Sequence, residues 1–294
     1  MKVFRWTYRN VPLLSYWDLA RIRDAIVRRK SIHYVNVFNF EISYVPGDNV
    51  VNIGSESLDA EDVIEHFEKL KKREHESDCK TVHMVESGRL VRLVLWGGRQ
   101  YKICQAQERW APTLLIDGIV MHTLKRDPLD DAREKAILVR PGDRVLDTCA
   151  CFGYTARACI ERGARYVLSV EVDSNVIELS QINPFSRVFE NCNVDLVNDS
   201  ILDVITELRD NSFDAIIHDP PRLTSETGDL YSLELYREFY RILRKGGTLF
   251  HYTGAPGSRY RGLDIQRGVC NRLREAGFHI VKVVEGFGVY ARKV

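Results

Sequence analysis

Four acidic residues stand where short apolar runs end: Asp147, Glu171, Asp199 and Asp219. Ligands of open parallel sheets sit beyond the carboxyl ends of the strands, so side chains at such places are positioned to do chemistry. The first run closes at Val145-Leu146-Asp147 and continues Thr148-Cys149-Ala150-Cys151-Phe152-Gly153-Tyr154-Thr155, a tight turn containing Gly before a helix. That turn fits dinucleotide binding, S-adenosylmethionine binding or a plain strand-to-helix turn. Glu171 follows Asp147 by 24 positions, where a carboxylate can accept both ribose hydroxyls of an adenosine; Asp173 competes with it for the part. Asp199 can accept a hydrogen bond from an adenine amino group, or it caps the helix that follows Ser200.

The fourth run, Phe213-Asp214-Ala215-Ile216-Ile217-His218, enters Asp219-Pro220-Pro221-Arg222. Two prolines fix the backbone and remove two donors. They leave the Asp219 carboxylate beside a rigid carbonyl, both acceptors. An –NH2 group held by such a pair is oriented for attack, with its lone pair turned out of conjugation. A simple strand-ending turn is the alternative. His218 and His251 fall within buried strands and read as satisfied core residues.

These positions need elements to hold them. From about residue 128 a helix (129–139) stops at Pro141-Gly142, and apolar runs then alternate with helical patterns. Strands are expected at 144–148, 166–171, 194–197, 213–218 and 247–252, with helices at 154–162, 174–190, 201–209 and 230–243. Such alternation marks parallel βαβ units. A helix at 265–276 and strands at 278–284 and 286–291 end the chain in a hairpin. Before residue 125 the texture is α+β. Ser15 and Asp18 form a capping box for a helix over 15–29. Residues 32–44 alternate as one strand, Pro46-Gly47-Asp48 turns, and a helix follows near 58–73. Strands at 80–86, 89–96, 99–104 and around Asp117-Gly118 are joined by Gly-containing turns. The boundaries are therefore 1–125 for a smaller α+β domain and 126–294 for a doubly wound α/β domain.

A chain of 294 residues suits two domains, and 45% hydrophobic with 28% charged residues is ordinary globular usage. No apolar run has the length of a membrane span, and MKVFRWTYRN lacks a secretory apolar region, so the expected location is cytoplasmic. Seven cysteines, odd in number and scattered, predict reduced thiols; Cys149-x-Cys151 has no second pair at zinc spacing, so no metal is expected. The net charge of +1 conceals +6 over residues 1–30, +7 over 244–294 and −12 between them. Basic ends can gather on one face and hold phosphates, or remain solvated surface.

Residues 128–294 resemble class I S-adenosylmethionine-dependent methyltransferases. The acids Asp147, Glu171 and Asp199, the Asp219-Pro220-Pro221 turn, and the closing helix and hairpin carry the resemblance. More narrowly, Asp147-Thr148-Cys149, Asn183-Pro184-Phe185-Ser186, Asp219-Pro220-Pro221-Arg222 and Phe250-His251-Tyr252-Thr253-Gly254 are similar to an archaeal group of predicted methyltransferases. Ala111-Pro112-Thr113, Ile116-Asp117-Gly118 and Met121-His122 extend the likeness back to about residue 100. No resemblance covers residues 1–95. What it implies is a seven-stranded Rossmann-like sheet and S-adenosylmethionine as cofactor. The cofactor would be held by Asp147, Cys149, Cys151, Gly153, Tyr154, Glu171, Val172, Asp199 and Ser200. Asp219, Pro220, Pro221 and Arg222 would do the catalysis. His122, with Met121, and Arg259 and Arg261, with Tyr260 between them, are placed at the rim for substrate.

Two positions depart from the family. Cys151 replaces the first Gly of Gly-x-Gly, which narrows the cofactor's approach. Arg222 replaces the aromatic of Asp/Asn-Pro-Pro-aromatic, and its guanidinium plane can stack on a base or hold a phosphate. Asp-Pro-Pro-Arg also occurs in RNA 5-methyluridine enzymes, which need a cysteine after strand five to add to the pyrimidine. Here that strand ends His251-Tyr252-Thr253-Gly254, and Cys270 lies in a helix, so nitrogen is the expected acceptor. The expected substrate is an exocyclic base amine of RNA (ribosomal or transfer), cytosine N4 ahead of adenine N6 and guanine N2, since a guanidinium platform suits a small ring. The alternative is a small-molecule transferase, such as a polyamine aminopropyltransferase or a small-amine methyltransferase. A binding module with a degenerate cofactor loop is the non-enzymatic reading. No membrane partner is expected.

Overall fold

Val145, Leu146, Val167, Leu168, Ile216 and Ile217 are apolar on both faces of their strands, and all are buried. Strands of that kind need cover on both sides, which helices between parallel strands provide. A computed structural model describes residues 2–74, 77–254 and 264–294. The chain divides into two units, Met1–Thr7 with Ala132–Ser180 and Ser186–Val294, and Tyr8–Asp131 with Gln181–Phe185.

The larger unit is built on seven strands: β1 (Arg144–Asp147), β2 (Tyr166–Glu171), β3 (Val194–Asn198), β4 (Phe213–His218), β5 (Leu243–Tyr252), β6 (Phe278–Val284) and β7 (Gly288–Lys293). Their order is β3-β2-β1-β4-β5-β7-β6. Pairing is parallel from β3 to β5 and antiparallel on both sides of β7. This is the doubly wound sheet with a terminal hairpin that the alternation predicts, in the seven-stranded Rossmann-like form that the resemblance implies. Helices α1 (Pro128–Lys135), α2 (Tyr154–Glu161), α3 (Ser174–Ser180), α4 (Ile201–Glu207), α5 (Leu233–Ile242) and α6 (Ile265–Glu275) connect or precede the strands. Leu146, Leu168, Ile216 and Leu249 pack with Val204, Phe239 and Val269 from α4, α5 and α6 in one core. The chain order reverses at β1, so the crevice beyond β1 and β4 is the place where such sheets take ligands.

The first residues belong with this sheet. Phe4 N–H donates to Leu196 O at 2.7 Å, and Val3 forms an antiparallel bridge with Val197, covering the free edge of β3. Trp6 donates from Nε1 to Ser180 Oγ at 2.8 Å.

The smaller unit contains sheets of three, four and five strands. Its helix Tyr16–Val27 starts with the capping box: Asp18 N–H donates to Ser15 Oγ, and Ser15 N–H donates to Asp18 Oδ2. The alternating stretch 32–44 is two strands, Ile32–Val35 and Glu41–Tyr44, and not one. Asn36 bends the chain by accepting from the Phe38 and Phe40 amides. Parity survives the bend because Ile32 pairs with Tyr44 and Tyr34 with Ile42. Strands Val50–Ile53 and Glu56–Asp59, which were not expected, precede the helix Ala60–Glu74.

The cysteine expectation needs correction. Cys79 and Cys104 form a disulfide, with Cα atoms 5.5 Å apart, across paired strands Lys80–Thr81 and Gln100–Gln105. The two cysteines are 25 residues apart and become neighbours only when those strands pair. The other five are free. Among the described residues, no group of three or more His, Cys, Asp or Glu is placed to hold a metal, and no helix is long and apolar enough to cross a membrane.

Candidate active site

β1 delivers Asp147 to full burial. Its Oδ1 accepts from Thr155 Oγ1 at 2.8 Å and its Oδ2 from Ser169 Oγ at 3.2 Å, tying β1 to the start of α2 and to β2. Burial raises this carboxyl to about 7, against those two hydroxyls and with help from the charges of Asp219 and Glu171. Asp147 thus shapes the loop from beneath.

The loop itself turns on two residues in the left-handed region, Cys151 (φ 46°) and Gly153 (φ 73°). Gly153 begins α2 and has no room for a side chain, since a Cβ there would meet Phe189 Cζ at 2.6 Å. Cys151 adopts the glycine-like conformation with a side chain, at a cost of roughly 1–2 kcal/mol for an L-residue. Cys149 and Cys151 are half-buried. Burial, followed by the charge of Glu171, raises both thiols, so they stay protonated. Tyr154 is buried under the loop beside Phe152.

β2 presents Glu171. Its Oε2 accepts from the Cys151 amide and its Oε1 from the Asp173 amide, each at 2.9 Å. Burial raises the Glu171 carboxyl, while these backbone donors oppose the shift. Asp173, its rival in the sequence, donates that amide to Glu171 and accepts from Asn175 N–H at 2.9 Å to open α3. Val172 between them is 67% exposed, an apolar side chain left uncovered on the rim. Asn198 Nδ2 fixes that rim by donating to the carbonyls of Glu171 and Val172. The exposed Asp199 carboxylate accepts from the next amide, Ser200 N–H, at 2.8 Å, while its own N–H donates to the Glu171 carbonyl at 3.2 Å. Ser200 is the N-cap of α4, accepting from Leu202 N–H.

β4 leads into Asp219. Pro220 is buried, and the Pro221 carbonyl accepts from Tyr231 OH at 2.9 Å. Among the described residues no donor takes the Pro220 carbonyl. The Arg222 carbonyl accepts from Thr227 Oγ1 at 2.8 Å, while its exposed guanidinium has no ion-pair partner among the described residues.

Lys135 is the residue that sequence reasoning missed. It ends α1, is buried, and donates from Nζ to Asp219 Oδ2 at 2.5 Å. The same Nζ sits 4.6 Å from the centre of the Tyr252 ring, at the end of β5. A signal existed: Ala132, Ala136 and Val139 are all buried at helical spacing, and Lys135 lies on that apolar face.

The two histidines of the strands are satisfied. His218 Nε2 faces the Leu230 carbonyl at 2.8 Å, so it carries the proton, and Nδ1 accepts from Thr148 Oγ1 at 2.6 Å. His251 Nδ1 donates to Tyr252 O, and Nε2 accepts from Tyr236 OH at 2.6 Å. Burial lowers His218 to about 4 and His251 well below its ordinary value. Cys270 is buried on α6 in the core.

His122 belongs to the smaller unit, where Nδ1 bonds with Thr113 Oγ1 at 2.9 Å. Arg259, Tyr260 and Arg261 lie outside the described residues. Of the basic end segments, Arg21 pairs with Glu108, Arg23 with Glu68 and Arg244 with Asp214.

No family model matches the chain. The uncharacterized protein MJ1233 of Methanocaldococcus jannaschii is 41% identical over 216 residues, which are 72% of this chain and 73% of that one. The polyamine aminopropyltransferase of Thermoplasma volcanium is 27% identical over 59% of this chain and 57% of its own. The ribosomal RNA large subunit methyltransferase I of Aeromonas hydrophila is 26% identical over 42% of this chain and 33% of its own. Among solved structures, spermidine synthase from Thermotoga maritima superposes with a TM-score of 0.53 at 19% identity, covering 68% of this chain and 72% of that one. That likeness is one of fold.

Proposed function

The chain belongs to the family of the Methanocaldococcus jannaschii protein MJ1233, and from that premise we propose that it is an S-adenosylmethionine-dependent N-methyltransferase acting on an exocyclic base amine of RNA. The observation that carries the reading is the Asp219-Pro220-Pro221 turn, whose Pro221 carbonyl is taken by Tyr231 while the Pro220 carbonyl is left beside the Asp219 carboxylate. The distant likeness to a ribosomal RNA methyltransferase supports it.

The residues fit an adenosine. Glu171 uses one acceptor site on each oxygen for a backbone amide and keeps others for ribose hydroxyls. Val172 offers an uncovered apolar surface for the adenine face, and Asp199 an exposed carboxylate for its amino group. S-adenosylmethionine would supply a methyl on a sulfonium, which leaves as a neutral thioether once the amine nitrogen has taken that methyl. Asp219 and the Pro220 carbonyl accept the two amine hydrogens and so aim the nitrogen lone pair. No strong base is needed first, because the N–H becomes acidic only as the N–C bond forms; that proton passes to Asp219 or water. The target base must be flipped out or already unpaired. Arg222, exposed next to the turn, is the platform for the ring, and cytosine N4 is the preferred target.

Nucleoside mass spectrometry of RNA from cells with and without the gene tests the reading. Loss of one N-methylated base supports it, and an unchanged profile or a lost C-methyl base overturns it. A second reading, aminopropyl transfer to a polyamine, is favoured by the likeness to aminopropyltransferases. Incubation with decarboxylated S-adenosylmethionine and putrescine separates the two, since only the second yields spermidine.

A further inference from the structure

Asp219 does not stand alone. Lys135 Nζ donates to its Oδ2, and the Lys135 side chain is only 4% exposed. A buried ammonium is costly unless paired, so the lysine is held at the strand ends by Asp219 and by the Tyr252 ring face. The pair commits one carboxylate oxygen and offsets the charge of Asp219.

That offset bears on what can approach. An exocyclic base amine is uncharged at neutral pH and already has a lone pair. An alkylamine with an ordinary pKa near about 10 is an ammonium at neutral pH and has none. To be held and deprotonated beside a sulfonium, it needs uncompensated negative charge. Here it would meet the Lys135 ammonium as well. Burial raises the Asp147 carboxyl to about 7, and the Glu171 carboxylate is turned to the backbone amides of Cys151 and Asp173.

We propose that Lys135 is a specificity-determining residue: by neutralising Asp219 it restricts the acceptor to an uncharged amine, such as that of a nucleobase, and excludes polyamine cations. The proposal rests on the amine-transfer reading above, and it disfavours aminopropyl transfer on grounds independent of sequence likeness.

The test is calorimetric titration of the full chain, first with S-adenosylhomocysteine and then, loaded with it, with spermidine at pH 7. The wild type should bind S-adenosylhomocysteine and show no saturable spermidine site below about millimolar. Lys135→Met should bind spermidine at least about tenfold more tightly, whereas Lys135→Arg, which keeps the charge, should behave as wild type. S-adenosylhomocysteine affinity should stay within about threefold throughout, a pattern that general loosening of the fold would not give. Micromolar spermidine binding by the wild type or by Lys135→Arg overturns the proposal even if Lys135→Met does not fold, and so does a folded Lys135→Met with no gain. A folded wild type that gives no heat with S-adenosylhomocysteine removes the methyl-transfer reading itself, and the proposal with it.

Discussion

The amide of Cys151 donates to Glu171 Oε2 at 2.9 Å, so the first loop and the end of the second strand are one unit. The left-handed turn at Cys151 sets the direction of that amide, and the bond orients the carboxylate that would meet a ribose.

Glu171→Ala should therefore do two things. It removes charge-assisted contacts to the cofactor and frees the loop. S-adenosylmethionine affinity should fall by roughly 1.5–3 kcal/mol. Cys151→Gly should not weaken affinity, because Gly accepts the same backbone conformation. Calorimetry with both variants checks this; an undiminished affinity in Glu171→Ala would place the cofactor elsewhere.

At Asp219 the effect should fall on turnover. Asp219→Ala should bind cofactor nearly as the wild type does and lose about 10²–10³ in rate, the size expected for one preorganised polar contact. Asp219→Asn should retain part of the activity, since an amide oxygen still accepts. Single-turnover assays on the RNA identified by mass spectrometry provide the measurement, and wild-type rates in Asp219→Ala would sink the proposed mechanism.

The buried titratable groups set opposing pH dependences. His218 is held down to about 4, whereas an unfolded histidine titrates near about 6.5. The unfolded chain then binds the extra proton, so stability is lost as pH falls from 6.5 towards 4. His251 and His83 shift in the same direction. Asp147, raised to about 7, works the other way: its contribution is present at low pH and lost as pH rises from about 4 to 7. Asp147→Asn removes only this counterweight. Unfolding free energies from urea titrations should then fall more steeply than in the wild type as pH drops from 6.5 to 4.5, by up to about 1.4 kcal/mol per pH unit. An unchanged slope would mean that Asp147 is ionised in the fold.

Thiol labelling of the denatured, unreduced chain should find five reactive cysteines, matching the five that are free. Reduction, or Cys79→Ser, should lower the stability of the smaller unit by about 3 kcal/mol, the usual value for closing a loop of this size. Seven labelled thiols would show that the Cys79–Cys104 bond does not form.

Much of the larger unit was legible in the sequence because its signals are local. Buried parallel strands run apolar, amphipathic helices repeat on their own period, and acids at strand ends mark the rim; Glu171 and Asp219 could be picked out by position alone. The capping box at Ser15 and Asp18 is equally local, decided within four residues. What only the tertiary structure decided are relations between distant residues. Lys135 and Asp219 are 84 positions apart, and a lysine on an apolar helical face does not announce its partner. Cys79 and Cys104 meet because two strands pair, Val3 covers Val197 because an edge is free, and 32–44 divides because Asn36 has amides within reach to cap. Alternation fixes which face a residue takes. Which side chain it finds there depends on how the strands are ordered, and that order is a property of the whole sheet.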